Sequence, residues 1–560
     1  GKSRLLQEFL ALVPPSGVVR LIGSDDASVQ PLEQVATAFW LPATPRRTTD
    51  RESGANARFR LHEQVLDIIS ERAAHSPLLI AADDAQWLGA ASLELLVAAT
   101  RLTGTAPVRL VLAHRPIVVV DDHRRILDDA DLRIDLAGLD DAAVRDLIEF
   151  ATGSSPSAED LIDVRTARGN PLLTLQVVQL KRTAADPGES SNSHDPLAQL
   201  RSRLDDDARR TATAAAVIGR RFKVDDVMAI LGSARADAAA ACAALLRHDI
   251  VVAVDHQTLS FRHDLLRETF LETAPPAVLA DLHRRRAAVL TELQGGADAV
   301  VVARHLVAAG EATSTTPWLI AAGRTLLESD PGAAAEFLLG AMPASSAPDV
   351  ELLVAVAQAL TRSSRADEAL DLLDQHGAAD HPDVLVQRAQ ARAAMGEMSV
   401  AAALFEAAAA VVDDAVASQR WIGEAQLLRA FAFDFTAAEH TSRELLATPG
   451  VDPLAAVHAG CALGWVQQHR GEIDEAIATL SDAVERAGED PDCLWRNPAM
   501  HLLGACIAGD RLGDLAEHSQ RARRIAIDHG DIWQVPALSS MLAGAHFRTG
   551  EWDRAIAEID

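Results

Sequence analysis

The chain has 560 residues, 49% of them hydrophobic and 24% charged, and its formal net charge is -28 at pH 7. A length of this order predicts roughly three or four domains. The acidic balance excludes, for these residues, a surface that wraps nucleic acid or lies on an anionic membrane, because both need clustered cationic side chains. The sequence shows neither a signal peptide nor a membrane-spanning apolar run, so we expect a cytoplasmic protein with no membrane partner. The four cysteines lack C-x-x-C spacing and are expected to be buried, reduced thiols.

The first three residues match the end of a phosphate-binding loop. Gly1-Lys2-Ser3 precedes an amphipathic stretch, as the last three positions of G-x-x-x-x-G-K-[ST] precede a helix. The rest of that loop and its strand would have to lie before Gly1. We therefore expect the chain to be a fragment cut through its own nucleotide site, which binds nucleotide weakly because the cradle of backbone amides is incomplete.

Short apolar runs alternate with helical patterns through the first 150 residues, which predicts strand–helix units and a mainly parallel sheet. Strands are expected at 17–23, 77–84 and 108–116. The segment containing Leu132, Ile134 and Leu136 alternates in polarity and is predicted to be a further strand, at the edge of the sheet.

Polar residues follow two of these strands. Asp83 and Asp84 end the buried strand and Arg115 follows the next one, and the carboxyl ends of parallel strands form a ligand crevice. Lys2 would reach the β- and γ-phosphates, and Ser3 would hold Mg²⁺, whose shell Asp83 would complete through water. Asp84 would polarise the attacking water, and Arg115 would sense the γ-phosphate. Each motif alone also fits a capped loop or a chance match, and it is their order along the chain that favours nucleotide binding.

After the predicted sheet region, the composition and pattern of the sequence change at a linker and again near residue 291. Residues 183–196 are rich in Pro, Gly, Ser and Asn and are predicted to be an exposed linker. Helical patterns follow, and "DIVVAVDHQTLSFRHD" (249–264) is predicted to form a β-hairpin, or wing, after them. From about residue 291 onwards the sequence is helical, rich in alanine and repetitive.

The repeats share a turn and an alanine near the start of the following helix. Their spacings run from 32 residues (364 to 396) to about 40 (471 to 511), around the tetratricopeptide unit of about 34. A small residue would allow the turn, and the alanine would let helices approach closely. A plain helical array without a ligand groove would show the same period. The turns are anchored at Ser364, Gly396, about Asp434, Gly471, about Arg511 and Gly550.

Several segments resemble one protein family. "PLLIAADDAQWLGAASLELL" (77–96) resembles the Walker B segment of STAND-class signalling ATPases, especially the large ATP-binding regulators of the LuxR type, although Gly89 stands where that family usually has an acidic residue. "ARGNPLL" (167–173) resembles the family's Gly-x-Pro segment. "RFKVDDVMAIL" (221–231) and "LSFRHDLLRETF" (259–270) resemble its winged-helix domain.

The resemblance implies roles for three further residues. Gly169 would form a turn and Pro171 would pack on the adenine, unless this segment is simply a turn that ends a helix. His263 lies in a segment similar to the Met-His-Asp motif of related STAND proteins, with Arg262 in place of methionine. It would contact the β-phosphate of bound ADP and so act as a nucleotide sensor, although a histidine that caps the following helix would look the same.

The fold class implied is an α/β P-loop NTPase core followed by a winged-helix domain and an all-α array of tetratricopeptide-like repeats. The expected boundaries are 1–152 for the core, 153–197 for a helical segment and linker, 198–290 for the winged helix and 291–560 for the repeats.

The function implied is an ATP/ADP switch, with Mg²⁺ and slow ATP hydrolysis, in a LuxR-type transcriptional regulator. An inducer or partner protein would bind the repeats, activation would bring self-association, and DNA would be bound through a C-terminal domain that these residues do not contain. Two alternatives stay open: a catalytically inert repeat scaffold, and a STAND ATPase coupled to a cyclase or kinase output.

Overall fold

The computed structural model describes most of the chain. Gly1, Gly89 and the predicted linker at 183–196 lie outside the described residues. The described residues are 2–23, 33–41, 54–88, 90–102, 108–115, 130–157, 201–292, 298–327, 330–343, 348–488, 490, 493, 497–511, 515–528 and 534–559, with single residues or short runs between 161 and 178.

The chain divides into two units. The first comprises Gly1–Pro42, Ile69–Arg101 and Thr105–Thr315. The second comprises Ala43–Ile68, Leu102–Gly104 and Thr316–Asp560.

A parallel sheet forms the first part of the first unit. Its described strands are β1 (Val18–Ile22), β2 (Leu78–Asp83) and β3 (Val108–Leu112), in the order β1-β2-β3. The central strand, β2, is apolar and buried up to its last residue, which is the pattern of a strand covered on both faces. The three strands lie where the sequence predicts them, although β3 ends four residues early.

Helices accompany this sheet. The N-terminal one, α1, packs Leu6 and Leu10 against Leu79 and Ala81 of β2. Their spacing of four residues places both leucines on one helix face. The helices described between residues 2 and 152 are α1 (Lys2–Ala11), α2 (Glu33–Ala38), α3 (Gly54–His75), α4 (Ala90–Leu102) and α5 (Asp141–Thr152).

The predicted edge strand around residue 134 is wrong. Residues 132–140 have no regular secondary structure, and Leu132, Ile134 and Leu136 are 76%, 68% and 47% exposed. An alternating sequence becomes a strand only when a neighbour accepts its backbone hydrogen bonds, and no described strand pairs with this segment.

A second cluster of helices carries a small antiparallel sheet. Its strands β4 (Arg221–Lys223), β5 (Val251–Ala253) and β6 (Thr258–Phe261) lie in the order β4-β6-β5. The predicted hairpin is therefore present, as β5 and β6. Phe222, Phe261 and Phe270 fill the core, with ring centroids 5.7 and 6.4 Å apart. The helices are α6 (Asp206–Ile218), α7 (Val224–Leu231), α8 (Arg235–Arg247), α9 (Asp264–Thr273) and α10 (Pro276–Glu292).

From residue 299 onwards the described chain is helical, mostly as consecutive pairs. The alanines predicted near the start of second helices are buried, among them Ala369, Ala476 and Ala555. The helices are α11 (Ala299–Ala308), α12 (Ala312–Leu326), α13 (Pro331–Gly340), α14 (Val350–Arg362), α15 (Ala366–His376), α16 (Pro382–Ala394), α17 (Met398–Val411), α18 (Ala415–Phe431), α19 (Phe435–Ala447), α20 (Pro453–Arg470), α21 (Ile473–Ala487), α22 (Pro498–Ala508), α23 (Leu515–Asp528), α24 (Gln534–Thr549) and α25 (Trp552–Ile559).

The turn between the helices of each pair has a left-handed residue, as a sharp reversal requires. Gly396, Gly471 and Gly550 have φ between 78° and 82°, and Ser364 has φ 62°. At the two approximate anchors the left-handed residue lies one position earlier than expected, and it is not glycine: Phe433 and Asp510 have φ 62° and 56°.

All four cysteines are buried, as expected. Burial raises the pKa of the Cys242 thiol to about 11 and that of Cys461 to about 12. Among the described helices, none is both long and apolar enough to cross a membrane.

Candidate functional site

The candidate site begins at the carboxyl end of β2. Asp83 is the last residue of this strand, and its carbonyl accepts a hydrogen bond from Gly23 N at 2.8 Å. Asp84 follows in a left-handed conformation, with φ 49° and ψ 42°, and begins the short 3-10 helix Ala85–Trp87. This conformation is uncommon for residues other than glycine, and Asp83 Oδ1 supports it by accepting the Asp84 amide at 3.0 Å. The turn holds both carboxylates at the carboxyl edge of the sheet.

Gln86 joins Asp84 to Arg115. Its Nε2 donates to Asp84 Oδ1 at 3.1 Å, and its Oε1 accepts from the Arg115 backbone amide at 3.1 Å. The backbone connects the same two segments, because Ala85 N donates to Ala113 O at 2.9 Å. Asp84 and Arg115 therefore lie together at one edge of the sheet, although 31 positions separate them in the sequence.

The side chain of Arg115 reaches α9, in the second helical cluster. Its Nη1 donates to Glu268 Oε1 at 2.6 Å, and its Nη2 lies 3.8 Å from Asp264 Oδ2. Arg115 and Glu268 are about a quarter exposed, whereas Asp264 is 6% exposed. The sequence predicts that the Arg115 guanidinium contacts the γ-phosphate of a nucleotide. In this structure it contacts the carboxylates of Glu268 and Asp264 instead.

Arg220 approaches the same carboxylates from the loop before β4. Its Nη1 lies 3.6 Å from Asp84 Oδ2 and 3.4 Å from Asp264 Oδ2. Asp264 therefore lies between two arginines, one from each side of the site. Nothing in the local sequence around Arg220, Asp264 or Glu268 indicates this arrangement, because the partners are between 44 and 153 positions apart along the chain.

His263 occupies the N-cap position of α9, but its side chain makes no capping hydrogen bond. Burial, followed by the positive charges of Arg262 and Arg220, lowers the pKa of His263 below its usual value, while Asp264 opposes the shift. The imidazole is therefore neutral at pH 7. The capping alternative has no support in this geometry.

Lys2 and Ser3 lie in the first turn of α1, where Lys2 is half-buried and Ser3 is exposed. Within the described residues, neither side chain forms a hydrogen bond or ion pair with Asp83 or Asp84. Because α1 packs on β2, Lys2 and Ser3 lie beside the sheet. No direct contact between their side chains and the two carboxylates determines how far apart these groups are in the described residues.

The Gly-x-Pro segment forms a tight turn. Gly169 has φ 70°, and its carbonyl accepts a hydrogen bond from Leu139 N at 2.8 Å. A Cβ at this position would collide with the backbone of Leu139. Asn170 Oδ1 accepts from Leu173 N at 3.4 Å, and Pro171 takes the first helical position, where its missing N–H is not needed. The segment therefore begins a helical turn.

No family model matches the chain. An uncharacterized protein of Rhizobium meliloti (strain 1021) is 28% identical over 309 residues, which are 51% of this chain. The chain spans 30% of the length of that relative.

Two solved structures show similarity at low TM-scores. One is a Signal Transduction ATPase with Numerous Domains that has a tetratricopeptide repeat sensor, from Pyrococcus horikoshii: its TM-score is 0.44 at 11% identity, and the match covers 100% of this chain and 88% of that one. The other is yeast Tom70, with a TM-score of 0.27 at 12% identity, covering 83% of this chain and 97% of that one.

Proposed function

We propose that the first unit binds ATP and ADP with Mg²⁺ at the carboxyl edge of β2 and β3, and that the protein is a STAND-type signalling ATPase of the LuxR-regulator kind. The observation that carries the proposal is the arrangement of Asp84, Gln86 and Arg115 at the carboxyl edge of a parallel sheet, since ligands of such sheets bind there. The repeats would bind an inducer or partner protein, and the nucleotide state would control self-association and a transcriptional output.

The donor set fits a magnesium nucleotide. Asp83 and Asp84 present carboxylate oxygens, the ligands that Mg²⁺ prefers. Ser3 and Asp83 would hold the ion, and Mg²⁺, when bound, would neutralise the phosphate charge. Lys2 would contact the β- and γ-phosphates, and Gly169 and Pro171 would pack against the adenine. Asp84, oriented by Gln86, would accept a proton from the attacking water, and Arg115 would contact the γ-phosphate. Gly1 would contribute a backbone amide to the phosphates.

The test is a pair of variants in the protein expressed from its complete reading frame. Asp84→Asn should keep nucleotide affinity and lower the ATP hydrolysis rate by roughly 10²–10⁴-fold, because the general base is lost. Lys2→Ala should lose binding, because the phosphate charge is no longer compensated. Calorimetry with ADP and a single-turnover assay measure the two effects, and Asp367→Asn, at an exposed aspartate of the repeats, is the control. Hydrolysis at the parent rate by Asp84→Asn would refute its role, and no nucleotide binding by the parent would favour the inert scaffold.

His263 provides a second test. Its neutral imidazole would donate to the β-phosphate of ADP, so His263→Ala should weaken ADP binding by roughly 10–100-fold, the equivalent of about 1.5–3 kcal/mol. The thermal stability of the protein should change little, because the side chain caps no helix. ADP affinity and melting temperature are measured on the same variant. A lower melting temperature with an unchanged ADP affinity would assign His263 a structural role instead.

A further inference from the structure

Five charged side chains form a series of alternating sign at the candidate site. In order they are Asp84, Arg220, Asp264, Arg115 and Glu268, with successive separations of 3.6, 3.4, 3.8 and 2.6 Å. Asp84 and Arg115 come from the edge of the parallel sheet. The other three come from the second helical cluster, in the loop before β4 and on α9.

Asp264 is the centre of this series. It is 6% exposed, the first residue of α9, and its Oδ2 faces both arginines. Its Oδ1 has no hydrogen-bond partner within the described part of the chain. A buried carboxylate is unfavourable unless charged partners compensate it, so α9 keeps this position only while Arg115 and Arg220 remain beside Asp264.

Two members of the series, Arg220 and Glu268, have the charges of the two parts of the proposed ligand. Bound Mg·ATP would place positive charge beside Asp84 and negative charge beside Arg115. In this structure the guanidinium of Arg220 lies beside Asp84, and the carboxylate of Glu268 bonds to Arg115. Protein groups thus supply both charges that the ligand would supply.

We propose that the side chains of Arg220 and Glu268 substitute for the metal ion and the γ-phosphate, respectively. Their ion pairs hold the second helical cluster on the sheet and keep the site closed until Mg·ATP displaces them. This rests on the nucleotide function proposed above. ADP has no γ-phosphate and leaves the Arg115–Glu268 pair intact, so it is compatible with the closed arrangement. ATP competes for Arg115 and opens it.

Hydrogen exchange without any nucleotide tests the ion pairs themselves. In the full-length protein, Glu268→Gln and Arg220→Gln should raise amide exchange in α9 and in residues 84–88 by about tenfold. The matched controls are Glu272→Gln, on the same helix, and Arg221→Gln, the adjacent residue; both side chains are exposed, and exchange should equal that of the parent. Because a variant can fail to fold, the parent is also measured in 0.5 M KCl, which screens charge pairs and should raise exchange in the same peptides. Exchange that is unchanged in both variants and in salt would overturn the proposal.

Nucleotide titrations then separate this proposal from the function on which it rests. In the parent, a non-hydrolysable Mg·ATP analogue should raise exchange in α9, and ADP in EDTA, which supplies neither the metal ion nor the γ-phosphate, should not. Glu268→Gln should bind the analogue about five- to tenfold more tightly, with its ADP affinity unchanged. If α9 loosens in the variants and no form binds nucleotide, the ion-pair closure is supported and the nucleotide function is refuted. If nucleotides bind but Glu268→Gln has the parent's ATP and ADP affinities, the nucleotide function stands and the substitution of ligand charges is refuted.

Discussion

At the scale of single residues, backbone conformation and hydrogen bonds of the folded chain explain how Asp84 and Gln86 are placed at the candidate site. Asp84 is left-handed because the turn after β2 must bring the next segment against the end of β3. The Asp-Asp-Ala-Gln-Trp sequence indicates the site, but the hydrogen bonds of Gln86 to both Asp84 and Arg115 appear only in the folded chain. A glutamine is compatible with many partners, and the sequence does not choose among them.

Gly169 and Gly153 offer a matched test of backbone strain. Both have φ near 70°, where an L-residue costs about 1–2 kcal/mol. A Cβ at Gly153 would meet nothing within 4 Å, whereas one at Gly169 would collide with the Leu139 backbone. Gly153→Ala should therefore lower the free energy of unfolding by about 1 kcal/mol, and Gly169→Ala by about 1–3 kcal/mol more. Urea unfolding measures both free energies. Equal losses in the two variants would show that the backbone at Leu139 moves away from the added Cβ without further cost.

At the scale of elements, the repeat turns depend on left-handed residues rather than on glycine as such. Phe433 takes this conformation although it is bulky, and it is 65% exposed. Its ring contacts Phe435 and His469, with centroids 5.7 and 5.9 Å away. These contacts offset part of the backbone cost, and they explain why a small residue, expected at every turn, is not found here.

Ser364 has no such compensation in its turn and gives a clear prediction. It is exposed, with φ 62°, where neighbouring repeats have Gly396 and Gly471. Ser364→Gly should raise the free energy of unfolding by about 0.5–1 kcal/mol, since relief of the left-handed strain exceeds the loss of chain entropy. Gly396→Ala, with no atom within 4 Å of its added Cβ, should lower it by about 1 kcal/mol. Denaturant midpoints report both changes, and destabilisation by Ser364→Gly would contradict this account.

The failed strand near Ile134 shows the limit of periodicity. Alternation specifies which side chains share a face once a strand exists, but it does not supply a partner strand. β2 has a neighbouring strand on each side, and it lies where the sequence predicts a strand. The prediction succeeds because a strand that is buried on both faces needs a continuous apolar run.

At the scale of the whole molecule, the buried side chain of His305 makes the stability of the fold depend on pH. His305 on α11 bonds to His283 on α10, with their Nδ1 atoms 2.8 Å apart. Burial, followed by the charges of His283, Arg286 and Arg304, lowers the pKa of His305 to about 3. An unfolded histidine titrates near 6.5, so between these values the unfolded chain binds more protons than the folded one, and acid weakens the fold.

This difference predicts an acid-sensitive stability. The contribution of His305 is complete above about pH 6.5 and falls by about 2 kcal/mol at pH 5. His305→Gln should flatten the dependence of the unfolding free energy on pH between 5 and 7, even if the variant is less stable at pH 7. His256→Gln, at an exposed histidine of the hairpin turn, should keep the parent slope. Equal slopes for His305→Gln and the parent would refute the assignment.

The sequence by itself determined the parallel strands that carry the site, the hairpin, the repeat period and the positions of Asp84 and Arg115 at neighbouring strand ends. These follow from local rules, because apolar periodicity and turn residues act over a few positions. Only the tertiary structure decided that Arg115 bonds to Glu268, that Arg220 lies beside Asp84, and that Asp264 is buried between the two arginines. Charged side chains have long reach and many possible partners, and the choice among them depends on which surfaces the folded chain brings together across separations of 44 to 153 residues.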